Sequence, residues 1–272
     1  MRWIIGDVHG MFRALENLLK EVSRVDSQSV LYFVGDYINR GRESRSVIDL
    51  LLSLDNAKFI RGNHDDVLDQ ILNGAAYAES PSQPDRYLAV QWFLENGLLE
   101  TLHSYGAKTD QLARIVSHRD RDGLKRVVDL FPPEHRLFIR SLPVFIEDDD
   151  LFVIHGKWPL NDKSGPRAAL AGSTPSSQLR HEILWGRYTD ADLHRPKSWT
   201  KTGFFGHTPV PTYRGYEANF SPIICGKMVL LDTAAALSSA GRLTAMCAEN
   251  MEIIQTDPTG KLVAPQRDQK TA

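Results

Sequence analysis

The apolar positions of this chain change period several times, and each change predicts an element. Trp3, Ile4 and Ile5 form a short apolar run. Phe12, Leu15, Leu18, Leu19 and Val22 then recur at helical spacing across residues 11–25. Val30-Leu31-Tyr32-Phe33-Val34 is a continuous apolar run of strand length, as expected in a sheet covered on both faces. From Ser44 to Leu54 the helical period returns through Val47, Ile48, Leu51 and Leu52. Lys58-Phe59-Ile60 predicts a third strand, and residues 65–72 a third helix. This alternation of strand, loop and helix predicts an α/β fold with parallel strands.

From about 77 to 141 the pattern is helical, with apolar faces from Trp92, Phe93, Leu98, Leu99 and Leu102, and predicts a helical insertion beside the site. After Pro143 strands return. Val144-Phe145-Ile146 and Leu151-Phe152-Val153-Ile154 flank an acidic turn and predict a hairpin. Residues 159–177, rich in Ser, Gly, Pro and Ala, predict a loop. Met228 to Leu231, Leu243 to Met246 and Glu252 to Ile254 predict closing strands. We therefore expect one domain over residues 1–256 and a polar, frayed tail over 257–272.

Composition narrows this little. The 272 residues suit one large domain with a sizeable core, and 42% hydrophobic with 24% charged residues is ordinary for a globular protein. A formal charge of -2 gives no broad electrostatic case for nucleic acid or a membrane surface. Cys225 and Cys247 lack CxxC spacing, so a disulfide framework is not expected. No apolar run approaches the ~20 residues of a spanning helix. A candidate ligand already stands at Asp7, which leaves no room for a signal peptide ahead of the fold, and we expect a cytoplasmic protein.

Five segments carry candidate chemistry: Gly6-Asp7-Val8-His9-Gly10, Gly35-Asp36-Tyr37-Ile38-Asn39-Arg40-Gly41, Gly62-Asn63-His64-Asp65, His155-Gly156 and Gly206-His207. Four of them directly follow a short apolar run that looks like a strand, and Gly206 follows Phe204-Phe205; strand ends are where open α/β sheets bind ligands. The flanking glycines let the backbone turn sharply and approach an ion closely. Asp7, His9, Asp36, Asn63, His155 and His207 offer oxygen and imidazole donors, a mix that suits manganese, iron, zinc or related ions. One carboxylate, most simply Asp36, bridging two ions about 3.5–4 Å apart would make a clamp for a phosphoryl group. Singly, Asp7 or Asp36 is equally a helix cap and either late histidine a core residue. The joint pattern is what points to a metal site.

These segments resemble the metallophosphoesterase superfamily, the calcineurin-like phosphoesterases. More narrowly they resemble its phosphoprotein phosphatase branch, including bacterial and phage serine/threonine phosphatases. The family pattern GDxHG, GDxxDRG, GNHE, HAG and GH stands here as GDVHG, GDYINRG, GNHD, HGK and GHT. Leu184-Trp185-Gly186-Arg187 and Leu231-Asp232-Thr233 also resemble bacterial members. The resemblance implies a four-layer α/β/β/α sandwich and two divalent ions, manganese first, with iron, zinc, nickel or cobalt as substitutes. It implies that Asp7, His9 and Asp36 hold the first ion, and that Asp36, Asn63, His155 and His207 hold the second. It makes His64 the general acid and Arg40 and Arg187 the phosphate-binding arginines, with Asn63 also near the substrate. The implied reaction is direct hydrolysis by a hydroxide shared between the ions, without a phosphoenzyme.

Asn39 departs from the family, which has Asp there, paired with the histidine that corresponds to His64. A neutral amide supports an imidazolium only weakly, so a slower enzyme or one suited to good leaving groups is expected. Asp65 replaces the usual Glu and is expected to cap the next helix. Lys157 is expected in solvent, and His103, His118, His135, His181 and His194 as surface or structural residues. The leading expectation is a phosphoprotein phosphatase for phosphoserine, phosphothreonine or phosphotyrosine. The alternatives are a dinucleoside polyphosphate hydrolase like the symmetrical diadenosine tetraphosphatases, a small-substrate phosphodiesterase, and a weakened phospho-ligand-binding protein. His9 is weighed against the tetraphosphatases, on the expectation that they carry Gln at that place. The expected partner is a phosphorylated protein or small phosphoester.

Overall fold

The computed structural model describes residues 1–74, 86–95, 98–170 and 176–264. Its first half follows the predicted alternation. The elements run β1 (Arg2–Ile5), α1 (Phe12–Val25), β2 (Val30–Phe33), α2 (Ser44–Leu52), β3 (Ala57–Phe59) and α3 (Asn63–Asn73). A helical stretch follows, with α4 (Arg86–Glu95), α5 (Glu100–Ser104), α6 (Thr109–His118), α7 (Arg121–Asp129) and α8 (Pro133–Ser141). The start of the insertion expected at 77 lies outside the described residues. Then come β4 (Phe145–Glu147), β5 (Leu151–Ile154), α9 (Pro166–Ala169), α10 (Ser177–Trp185), α11 (Asp190–His194) and β6 (Thr202–Phe205). The chain ends with β7 (Ile223–Cys225), β8 (Met228–Leu230), β9 (Leu243–Cys247), β10 (Ile253–Thr256) and β11 (Leu262–Val263).

Two sheets form. One has the order β11-β10-β9-β1-β2-β3, the other β4-β5-β6-β8-β7. β1, β2 and β3 are parallel, as are β5, β6 and β8, and antiparallel strands finish the edges. Strand alternation decides what packs where. Ile4, Tyr32 and Met246 of the first sheet face Val153, Phe204 and Val229 of the second in an apolar layer between the sheets. Trp3, Ile5 and Phe33 face the other way, into a core shared with α1, α2 and α3. Phe152, Ile154 and Phe205 face a third cluster with Ile183 and Leu184 of α10. Helix, sheet, sheet and helix therefore stack as four layers, the expected architecture.

Three expectations change. The tail expected from 257 begins with structure: Leu262 and Val263 pair with Thr256 and Gln255 and extend the first sheet. The rest of that segment, 265–272, lies outside the described residues. The loop expected over 159–177 contains α9, and 171–175 again fall outside the described residues. α10 and α11 escaped the periodicity because they bury few residues, Ile183 and Leu184 in one and Asp192 and Leu193 in the other. Short helices of this kind are positioned by packing rather than by their own pattern.

Candidate metal centre

Five residues in the loops that follow β1, β2 and β6 occupy the left-handed region that side chains avoid: His9 (φ 46°), Asp36 (54°), Asn39 (71°), Arg40 (66°) and His207 (66°). Such strain clusters where a fold holds functional groups in place. Two glycines make the space. A Cβ on Gly62 would lie 2.1 Å from Asp36 Oδ1, and one on Gly206 would lie 2.1 Å from Asp7 Oδ1. The motifs are thus packed against one another's ligand atoms.

Asp7, His9, Asp36, Asn63, His155 and His207 are all buried and close together. Asp36 is central: its Oδ2 lies 3.3 Å from His155 Nε2, 3.6 Å from His9 Nε2 and 3.9 Å from His64 Nε2. Asp7 Oδ2 is 4.0 Å from His9 Nε2 and accepts a hydrogen bond from the His207 backbone N–H at 3.0 Å. Backbone carbonyls fix the tautomers, because a carbonyl only accepts. His9 Nδ1 donates to Ile38 O at 2.9 Å and His155 Nδ1 to Val34 O at 2.8 Å, so both Nε2 lone pairs face the site. His207 does the reverse, with Nε2 donating to Trp185 O at 3.1 Å and Nδ1 facing inward.

These residues fit a divalent cation on several grounds. Asn63 Oδ1 stands 3.0 Å from His155 Nε2 and 2.9 Å from His207 Nδ1. Three acceptors converging at that distance repel unless a proton or cation sits among them. Asp7 Oδ1 and His9 Nε2 are buried without a hydrogen-bond partner among the described residues. His9, Asp36 and His64 form one group of ligand atoms within 4.8 Å of each other, and Asp36, His155 and His207 form another. Nitrogen and carboxylate donors without thiolate suit first-row divalent ions.

Electrostatics agree. Burial works against the Asp36 charge, yet His155, His64 and His9 hold its pKa well below the usual carboxylate range. Burial and the neighbouring Asp232 push Asp7 well above it. Burial alone would depress His155, but the Asp36 carboxylate overrides it and lifts the imidazole to about 9. Burial, with Arg40 adding repulsion, drives His9 well below its ordinary value. Burial, His155 and Arg187 lower His207 to about 3. A cation would take the place of the proton on His155 and release it.

His64 lies beside this cluster at the N-terminus of α3, 4.9 Å from the His9 ring. Its Nδ1 is 2.8 Å from Asn39 Nδ2. Burial lowers the imidazole to about 4; Asp36 opposes the shift and Arg40 adds to it. Arg40 Nη1 is buried and has no hydrogen-bond partner among the described residues, as a group reserved for an anion would be. Arg187 reaches the site from the end of α10, 3.4 Å from both His207 O and Thr208 Oγ1, with its side chain exposed. Trp92 and Trp185 wall the site, 5.5 Å from His64 and 6.3 Å from His207.

Other residues resolve one by one. Asp65 accepts from Gly62 N at 2.9 Å, closing the cap of α3, and also from Asp36 N at 2.8 Å and Tyr37 N at 3.2 Å, binding the second motif to the third. Lys157, expected in solvent, pairs instead with Asp192 at 3.6 Å. His135 is structural, bonded to Tyr105 and Asp49, whereas His181 stacks on Trp185 at the edge of the site. Three residues went unread in sequence. Thr101 sits in a helix without a motif. Asp232 belongs to the Leu231-Asp232-Thr233 segment, whose resemblance to bacterial members implies no role for it; its Oδ2 is buried and has no hydrogen-bond partner among the described residues. Arg61 is fully buried between Asp66 and Asp69, 2.9 Å from each. Only its position beside the Gly62 motif could have drawn attention to it.

With this fold and this cluster of ligand atoms, the chain belongs to the calcineurin-like phosphoesterases; the family profile matches residues 2–211. It is similar to a symmetrical bis(5'-nucleosyl)-tetraphosphatase of Buchnera aphidicola subsp. Baizongia pistaciae, 47% identical over 64 residues, 23% of each chain. A tetraphosphatase of the same description from Marinomonas sp. is 29% identical over 152 residues, 55% of this chain and 40% of the relative. The matched stretches thus span less than half of these relatives. Among solved structures, a candidate diadenosine tetraphosphatase superposes with TM-score 0.55 at 20% identity, covering 94% of this chain and 92% of that one. A serine/threonine protein phosphatase from Saccharomyces cerevisiae gives 0.53 at 15%, covering 98% and 81%. At these identities the structural likeness is one of fold. The curated relatives named here are tetraphosphatases, so the similarity favours the class against which His9 was weighed over the protein phosphatases. Among the described residues no helix is long and apolar enough to cross a membrane.

Proposed function

We propose that this chain is a metal-dependent hydrolase of phosphoanhydrides, acting on dinucleoside polyphosphates such as diadenosine tetraphosphate. The observation that carries the reading is the amide of Asn39 against His64 Nδ1 at 2.8 Å. An amide there gives no carboxylate to sustain an imidazolium. The reaction must then tolerate a leaving group that departs unprotonated. A nucleoside diphosphate leaves as a stable anion, whereas the alkoxide of phosphoserine requires a proton. The local similarity to symmetrical tetraphosphatases supports the same substrate class.

In this reading Asp7, His9 and Asp36 hold one divalent ion, and Asp36, Asn63, His155 and His207 hold the other. Bound there, the ions supply positive charge to the phosphate and lower the pKa of water. The remaining steps belong to side chains. Arg40 and Arg187 grip phosphate oxygens, for which the planar guanidinium fork is suited. His64, through Nε2–H, donates a hydrogen bond to the departing oxygen. Manganese is the ion we expect, and the cytoplasm, where nucleotides are abundant, the compartment. The domain extends from β1 through β11, with the helices between 86 and 141 forming a cap.

The protein phosphatase reading is now second. It needs a proton donor that Asn39 does not support. The manganese-loaded chain, incubated with diadenosine tetraphosphate, should yield two ADP per molecule by anion-exchange chromatography. His64→Asn should slow this by about 10-fold to 100-fold, less than the loss of a full acid–base group, because a hydrogen bond and not a proton transfer is removed. Absence of ADP alongside rapid phosphate release from a phosphoserine peptide would reverse the order of the two readings.

A further inference from the structure

The hydrogen bonds behind His64 form a chain with one direction. Ser44, Thr101 and Asn39 are fully buried. Among the described residues the Ser44 hydroxyl has one acceptor for its hydrogen, Thr101 Oγ1 at 3.0 Å. Thr101 Oγ1 also accepts from the Asn39 backbone N–H at 2.8 Å, so its own hydrogen must go elsewhere. That place is Asn39 Oδ1 at 2.6 Å. With its oxygen taken, the Asn39 amide turns its NH₂ toward His64 Nδ1 at 2.8 Å. Turning the amide over would leave the buried Ser44 hydrogen without an acceptor, at a cost of about 1–3 kcal/mol.

We propose that Thr101 is a positioning residue that, through Asn39, locks His64 in the Nε2–H tautomer and so selects substrates whose leaving groups need no proton. This rests on the reading of His64 as the group beside the leaving oxygen. His64 Nδ1 accepts, so the single ring hydrogen sits on Nε2, the nitrogen that faces Asp36 across 3.9 Å. A second ring hydrogen on Nδ1 would meet the amide's own hydrogens head-on. The imidazole thus offers a hydrogen bond and keeps its proton. Thr101 comes from α5, so the helical stretch between the two sheet halves takes part in the chemistry without touching substrate.

The test reads the tautomer directly, by long-range ¹H–¹⁵N correlation of the His64 ring in the full chain loaded with diamagnetic zinc. The wild type should show hydrogen on Nε2 only. Thr101→Ser, which keeps the hydroxyl, should show the same. Thr101→Val should admit the Nδ1–H form and lower kcat on diadenosine tetraphosphate by about 10-fold or more with KM unchanged, as when an outer-shell partner is lost. Asn39→Asp presents only acceptors and should place hydrogen on Nδ1, even if the valine variant fails to fold. A wild-type ring with hydrogen on Nδ1, or spectra indifferent to Asn39→Asp, would overturn the proposal. Because the spectra need no substrate, that result is separable from a wrong substrate assignment, which would instead leave the tautomer as described and ADP absent.

Discussion

At the scale of single residues, the centre turns on Asp36, the carboxylate that three imidazoles approach within 4 Å. Asp36→Asn keeps the shape and removes the charge. We expect it to lose at least one of two bound metal equivalents, measured by elemental analysis after desalting, and to lower kcat by at least 100-fold. Retention of two metals would remove Asp36 from the bridging position. The metal-type residues were legible in sequence because each stands beside a glycine at the end of an apolar run. Asn39 was legible as a departure, but not the side of its amide that meets His64. That depends on Thr101, 62 residues away and in no motif. A tertiary contact of that kind leaves no local trace.

At the scale of elements, the parallel trio β1, β2 and β3 brings three motifs to one edge, and β5 and β6 bring two more from the second sheet. β1, β2 and β5 were readable as apolar runs because both their faces are covered, whereas β3 exposes Lys58 and β6, with Thr202 and Gly203, was not read as a strand. β7 and β11, with three and two residues, were too short to carry a pattern. The orientation of α3, which carries Asn63 and His64, is fixed from beneath by Arg61. Its guanidinium pairs with Asp66 and Asp69 and donates to Ile139 O and Arg140 O at the end of α8. Arg61→Leu should destabilise the protein by about 3–5 kcal/mol, because it leaves Asp69 buried with its partner removed. Urea unfolding checks this; a loss below about 1 kcal/mol would mean that α3 is held by packing alone.

At the scale of the whole molecule, two sheets press their ligand-bearing edges together, so the metal-free protein stores its charges where the metal belongs. His155 shows the consequence. Its pKa is about 9 in the fold, against an ordinary value of 6.5. A raised histidine stabilises the fold below about pH 6.5, and the contribution is lost as pH rises through about 9. The chelator-treated protein should therefore lose stability between these limits, by something on the order of 3 kcal/mol from this group. Excess metal should flatten the dependence, since a ligand of the folded state adds its own stabilisation. Urea midpoints at several pH values, with and without metal, provide the check. Apo stability that rises over this interval would contradict the assignment of the His155–Asp36 pair.

The central claim joins the metal centre to a leaving group that departs without a proton. Its most direct measurement is the ratio of kcat/KM for diadenosine tetraphosphate to that for a phosphoserine peptide, taken on the same metal-loaded chain and on Asn39→Asp. The account predicts a ratio of at least about 100 for the natural sequence, the lower bound for losing general acid catalysis on the alkyl ester, and a fall of about 10-fold or more when the carboxylate is introduced. A ratio near or below one in the natural sequence, or one that Asn39→Asp leaves unchanged, would contradict it.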